Sequence, residues 1–196
     1  MENLRLECAK CGRQYPYRPD LFTCTGCNSP GFTNLLLRDP DGALQENDEF
    51  EQRKTPCYKI PELNAALGID GLFIKDETFN RFGTMKDRRS AEITRLAQHF
   101  GFSRIFCVTV GNLGNSLAEF ARKSGIECAA VAPSDIPKKI LARLGKKTTL
   151  TKVETLFDPS QAWTAKKICE VFPGAMDGTG NNPCAAHAYA QIAEDL

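Results

Sequence analysis

The segment "RIFCVTVGNLGNSLAEFARKSG", residues 104–125, joins two periodicities at one glycine-rich turn. Its first seven residues, Arg104 to Val110, are a short apolar run of the kind a buried strand needs. After Gly111 the apolar positions Leu113, Leu117, Phe120 and Ala121 recur at helical spacing, until Gly125 ends the pattern. The same alternation runs outward in both directions. Downstream, "IECAAVAP" (126–133) reads as a strand, "DIPKKILARLG" (135–145) as a helix with proline in its first turn, "KTTLTKV" (147–153) as a strand and "DPSQAWTAKKICEVF" (158–172) as a helix. "GAMDGTGNN" (174–182) supplies a strand and glycine loop, and "PCAAHAYAQIAEDL" (183–196) a last helix with Asn182 at its N-cap and Pro183 at its first position. Upstream, Ala91, Ile93, Leu96, Ala97 and Phe100 form a helical stripe from Asp87 to about Phe100, preceded by a short strand in "GLFIKDE" (71–77). Parallel neighbours need crossover connections, so strands alternating with helices predict an α/β fold: a three-layer, mostly parallel sheet with helices on both faces.

Before this region lies "RDPDGALQENDEFEQRKTPCYKIPELN" (38–64), charged and punctuated by proline, which reads as a linker across the surface. It separates an N-terminal module at 1–38 from the α/β portion at 39–196. With 42% apolar and 25% charged residues the chain has the composition of an ordinary globular protein. A formal net charge of +1 gives no bulk attraction to nucleic acid or anionic lipid, so neither is expected as a partner. The longest apolar runs fall far short of the roughly 20 residues that cross a bilayer, so no membrane span is expected. Glu2 and the early cysteines leave no room for a secretory leader, which predicts a cytoplasmic protein.

Nine cysteines fall into two groups. Cys8, Cys11, Cys24 and Cys27 form two C-x-x-C pairs with glycine beside a cysteine in each, which is metal-ligand spacing. Two such turns brought together give a closed four-thiolate site for a structural zinc, and a module this small has too little interior to fold unaided. Disulfides fit an oxidising compartment instead, and a redox C-x-x-C needs only one pair. Cys57, Cys107, Cys128, Cys169 and Cys184 read as small core hydrophobes, and neither His99 nor His187 has a ligand-spaced partner.

Ligands of parallel sheets sit beyond the carboxyl ends of the strands, where loops enter helices. Two loops qualify: "NRFGTMK" (80–86) and "TVGNLGN" (109–115). A lysine at an arbitrary position solvates a surface. Lys86 differs in standing in a glycine-led turn at the head of a helix. Gly111 and Gly114 permit close backbone approach, and Asn112 reads either as a ligand contact or as a helix N-cap.

Together, "KDETFNRFGTMKDR" (75–88) and "TVGN" (109–112) resemble the pyridoxal-phosphate enzymes of the tryptophan synthase β fold, fold type II, whose lysine segment has the form K-D-E, N-P-T-G-S-F-K-D-R followed one strand later by S-x-G-N. The cysteine-rich start is similar to that of threonine synthases within this family. The resemblance implies pyridoxal 5'-phosphate as cofactor and an amino-acid substrate, with conversion of O-phosphohomoserine to threonine and phosphate as the reaction. Lys86 would then carry the cofactor and shuttle a proton, Asn112 would hydrogen-bond the ring hydroxyl, and Thr84 and Gly111 would line the cofactor. A β-replacement enzyme such as cysteate synthase is the neighbouring alternative. Arg81, Phe82 and Met85 depart from the motif on the substrate side. Family members are generally much longer and carry their phosphate-binding loop in the second half, so the resemblance implies the N-terminal portion of an enzyme, with a homo-oligomer or a second chain that supplies the C-terminal half as partner. A different class remains open at this point: a non-catalytic zinc-ribbon protein, with Arg5, Lys10, Arg13, Arg18 and Arg38 giving a basic surface.

Overall fold

The computed structural model describes residues 4–27, 34–42, 44, 50, 54–144, 148–154, 156, 170–180 and 182–196. Three sheets organise them. The first is antiparallel, with β1 (Arg5–Cys8) between β2 (Gln14–Pro16) and β3 (Leu35–Arg38). The second is a two-stranded antiparallel ribbon of β4 (Cys57–Lys59) and β5 (Phe73–Lys75), connected through α1 (Pro61–Leu67). The third is wholly parallel, in the order β8-β7-β6-β9, with β6 at Arg104–Val108, β7 at Glu127–Pro133, β8 at Thr149–Val153 and β9 at Met176–Asp177. Helices α2 (Lys86–His99), α3 (Asn112–Lys123), α4 (Lys138–Leu144) and α5 (Cys184–Glu194) complete the alternation. The α/β class and the parallel sheet are as the alternating pattern predicts.

Side chains alternate across the parallel sheet, as strand geometry requires. Ile105, Cys107, Cys128 and Ala130 point to one face, where Leu117, Ala118 and Ala121 of α3 and Ile93, Leu96 and Ala97 of α2 close over them. Phe106, Ala129 and Val131 point to the other, where Phe172 stacks on Phe106 at 4.4 Å between ring centroids and Leu156 and Ala175 fill the remaining space. The α2/α3 core continues without a break into the first sheet through Leu4, Leu6, Leu35 and Leu37. Each of those four is buried because β1 and β3 lay one apolar face against the helices.

Three expectations are corrected. The stretch read as a linker contains β4 and α1, and "GLFIKDE" pairs antiparallel with β4 rather than joining the parallel sheet. The reason is local: α1 buries none of its residues and β4 is exposed throughout, so neither shows the apolar periodicity by which an element is recognised. The N-cap of α5 is Pro183 and its first residue Cys184, one position later than expected, with Asn182 Oδ1 accepting from the Cys184 amide at 3.1 Å. Most of the helix expected at 158–172 lies outside the described residues.

Candidate functional site

The turn that presents Lys86 is closed by its own side chains. Gly83 has φ +80°, a left-handed conformation that favours glycine, and the Asp87 amide donates to Thr84 O at 3.0 Å. Thr84 Oγ1 accepts from the Lys86 amide at 3.3 Å, and Asp87 Oδ2 accepts from the Phe82 amide at 2.6 Å. Burial pushes the Asp87 carboxyl up, against the opposing pull of Ser116 of α3 and of the Phe82 amide. Asp87 therefore faces α3. Its neighbour Lys86, half-buried at the first position of α2, faces α5 instead: Nζ donates to Tyr189 Oη at 3.3 Å and lies 5.5 Å from the centroid of that ring.

The rest of α2 is unusually polar for a buried helix, and each charge has a reason to be there. Arg88, 1% exposed, donates to Glu77 at 2.8 and 3.0 Å and to Asp195 at 2.6 Å, and Lys75 Nζ meets the same Asp195 oxygen at 3.0 Å. Arg89 donates to Gly178 O at 3.1 Å. These bonds fasten α2 to the antiparallel ribbon on one side and to the last turn of α5 and the loop after β9 on the other.

In the second turn, Thr109 organises the backbone. Its Oγ1 accepts from the amides of Gly111 and Gly114 at 3.0 and 2.9 Å, pinning the start of α3. Gly111 has φ +150° and ψ −82°, and a Cβ there would meet Ile140 of α4 at 3.1 Å; a Cβ at Gly114 would lie 2.6 Å from Thr109 and 2.7 Å from Leu144. Glycine is favoured at Gly114 by crowding and at Gly111 by conformation. Asn112 stands exposed at the first position of α3, with no side-chain cap formed. Its amide and that of Leu113 make no backbone hydrogen bond among the described residues, as first-turn amides require another acceptor. The structure thus groups Lys86 with Thr84 and Gly111 with Asn112, and ties Asp87 back to its own turn through the Phe82 amide. The hydrogen bond of Lys86 Nζ goes to Tyr189, a residue no motif marks.

The cysteine pairs form the third element. The Sγ atoms of Cys8, Cys11, Cys24 and Cys27 all lie within 4.8 Å of one another, with separations of 3.4 Å for Cys8–Cys27, 3.7 Å for Cys11–Cys24 and 3.2 Å for Cys11–Cys27. A tetrahedral ion with bonds of about 2.3 Å to sulfur implies edges of about 3.8 Å, so the cluster has the size of a metal site. Around it, the Lys10 and Gly26 amides donate to Cys8 and Cys24 at 3.4 and 3.3 Å, and Asn34 bridges the two halves by accepting from the Cys24 amide at 2.9 Å and donating to Cys8 Sγ at 3.5 Å. Tyr15 Oη lies 3.0 Å from Cys24 Sγ, and this hydrogen bond brings the Cys24 thiol down to about 6, while three neighbouring sulfurs push Cys27 up. A donor set crowded in this way is compatible with a bound cation.

The family model described as "Pyridoxal-phosphate dependent enzyme" matches residues 49–196, three quarters of the chain. The chain belongs to this family. Threonine synthase of Methanocaldococcus jannaschii is 34% identical over 153 residues, covering 64% of this chain and 37% of that protein. Threonine synthase of Methanosarcina acetivorans is 24% identical over 151 residues, covering 66% and 37%. The chain thus spans little more than a third of the length of the curated relatives it matches. Among solved structures, a pyridoxal 5'-phosphate-dependent aspartate racemase superposes with a TM-score of 0.65 at 18% identity, covering 76% of this chain and 46% of that one, which shows the shared fold.

The residues present fit the family's cofactor on one side. An amine at the head of α2 is of the right chemistry for an aldehyde, a carboxamide at Asn112 for a ring hydroxyl, and the first-turn amides of α3 for an electronegative group. Among the described residues, no helix is long and apolar enough to cross a membrane.

Proposed function

We propose that this chain is the lysine-bearing portion of a threonine synthase-like lyase that converts O-phosphohomoserine to threonine and phosphate, with Lys86 as the residue that carries pyridoxal phosphate. The observation that supports this most is Lys86 itself: a half-buried lysine at the first position of a helix, in a turn closed by Thr84 and Asp87, whose neighbouring carboxylate faces the helix that begins at the glycine turn. The cofactor, when bound, supplies an electron sink for the substrate α-carbon. Lys86 Nζ would serve as the base at that carbon, Asn112 would donate to the ring hydroxyl, and Thr84 and Gly111 would line the cofactor. Thr109 keeps the glycine turn rigid by holding two of its amides. Zinc in the four-cysteine cluster is structural in this reading, since four thiolates leave no open position for substrate.

The relatives' greater length supports the further reading that a complementary C-terminal portion supplies the phosphate cradle, so the chain alone is expected to retain the cofactor weakly. The test is borohydride reduction of the chain incubated with pyridoxal phosphate, followed by peptide mapping. The label is expected on Lys86 and is expected to vanish in Lys86→Ala. Equal labelling of the variant would overturn the assignment.

A further inference from the structure

Six of the eleven large apolar side chains left exposed among the described residues fall between 57 and 79: Tyr58, Leu63, Leu67, Ile69, Phe73 and Phe79. Apolar side chains scattered singly over a surface need no explanation, but more than half of them gathered into one short stretch do. The elements that carry them are poorly equipped to stand alone. Helix α1 has seven residues and buries none of them, while an isolated helix shorter than about 12–15 residues is marginal in water. Leu63 and Leu67 are one turn apart, so both stand on the same side of it. Strands β4 and β5 pair only with each other among the described residues, and a two-stranded ribbon needs a third strand or a packed face for its stability.

The ribbon is also open at its edges. The Asp76 amide donates to Pro56 O at 2.9 Å, which sets the alternation along the pair. Tyr58 and Ile74 therefore turn their backbone groups toward each other, and Cys57, Lys59, Phe73 and Lys75 turn theirs outward. Beside that edge the Lys59 ammonium lies 5.0 Å from the centroid of the Phe73 ring. Unpaired outward amides next to apolar side chains are a template for another strand.

Two observations indicate what covers this face. The chain spans little more than a third of the length of its curated relatives. Asp195, directly after α5, bonds to Lys75 of β5 at 3.0 Å, so polypeptide that follows α5 would start beside the ribbon. We propose that α1 and the β4–β5 ribbon are the docking surface for the complementary C-terminal portion, whose apolar face covers Leu63, Leu67 and Phe73 and one of whose strands extends the ribbon. The inference rests on the reading that such a portion completes the enzyme, and it names where that portion seats.

The probe is the part of Methanocaldococcus jannaschii threonine synthase that follows its match to this chain, mixed with the whole chain. Sedimentation is expected to show a one-to-one complex, and hydrogen exchange is expected to slow across residues 57–79. Leu67→Glu and Phe73→Glu, both at positions 55% exposed where the fold tolerates a charge, are each expected to weaken the complex by about ten-fold or more. Retention of pyridoxal phosphate through dialysis of the same mixture reports separately on the completed enzyme. Retention without slowed exchange at 57–79, or with both glutamate variants binding as the parent chain does, overturns the docking surface and leaves the complementary portion standing. Slowed exchange without retention upholds the surface and sinks the reading of the portion as the phosphate cradle. Absence of a complex, or a chain that pairs with a second copy of itself through this face and loses that pairing in Phe73→Glu, overturns the proposal.

Discussion

Lys86 Nζ and Tyr189 Oη lie 3.3 Å apart, across 103 residues of sequence, and the ammonium also sits 5.5 Å from the tyrosine ring centroid. The pairing holds the amine on the α5 side of α2. In the proposed function, reaction with an aldehyde would draw it away from this contact. An exposed cation–π contact contributes about 0.5–1 kcal/mol. Tyr189→Ala is therefore expected to raise the rate of borohydride-trapped pyridoxal phosphate labelling at Lys86 by about two- to five-fold, with Tyr189→Phe between it and the parent chain. An unchanged rate in both would show that the contact does not restrain the amine.

Arg88 is a costly side chain to remove. It is 1% exposed and answers both Glu77 and Asp195, whose carboxyl groups its hydrogen bonds help hold below their ordinary values. Breaking a buried pair from one side costs about 3–5 kcal/mol, because the remaining charges stay behind without compensation. Arg88→Ala is expected to lower the urea midpoint by that equivalent at constant slope, and Asp195→Asn by less, since Glu77 still answers the guanidinium. A loss under about 1 kcal/mol in Arg88→Ala would mean that water reaches the site freely.

His187 supplies a pH dependence with a defined sign. Its Nδ1 lies 3.1 Å from the buried Glu92 carboxylate, which raises the imidazole above its ordinary 6.5 against the opposing effect of burial, with Asp39 and Glu194 adding to the rise. A raised folded-state value means that the stabilisation is fully present below about 6.5 and is lost as pH climbs through the folded value. The melting temperature is thus expected to fall between pH 6 and pH 8 more in the parent chain than in His187→Gln. Parallel curves for the two proteins would exclude the pair as the source.

Metal removal is expected to unfold more than the cysteine module. Structural zinc in small modules contributes roughly 10–16 kcal/mol of apparent binding energy. Chelation is expected to release one zinc per chain, and circular dichroism is expected to show loss of α2 and α5 helix along with the first sheet, because Leu4, Leu6, Leu35 and Leu37 share one core with Ile93 and Leu96. Cys24→Ser is expected to reproduce this without chelator. Metal-free protein with unchanged helix content would contradict it.

The parts of the fold legible in sequence are those whose burial imposes a period. Helix α3 and strands β6 and β7 could be read directly, because Leu117 and Ala121, or Ile105 and Cys107, recur at the spacing their surroundings demand. Helix α1 could not, since a helix without a buried face has no stripe to betray it. Of the candidate site, Lys86 and Asn112 stood out through motif, and the four cysteines through spacing alone. Tyr189 and Asp195 carried no such signal: what matters in each is a partner more than a hundred residues away, and chain separation of that kind leaves no local trace. Thr109 was nearer to view, since a hydroxyl two residues before a left-turning glycine is a recurrent way of tying up amides.

The unbroken core beneath β1 and β3 also sets a limit on modular reuse. Strand β3 ends at Arg38, and the four-cysteine segment before it looks like a detachable cassette, yet Leu35 is 2% exposed and Leu37 not exposed at all, with α5 packed against that strand. A graft that cuts after Arg38 would carry a bare greasy underside into its new host and leave a matching wound on the donor, so any transplant must bring the helices that clothe it.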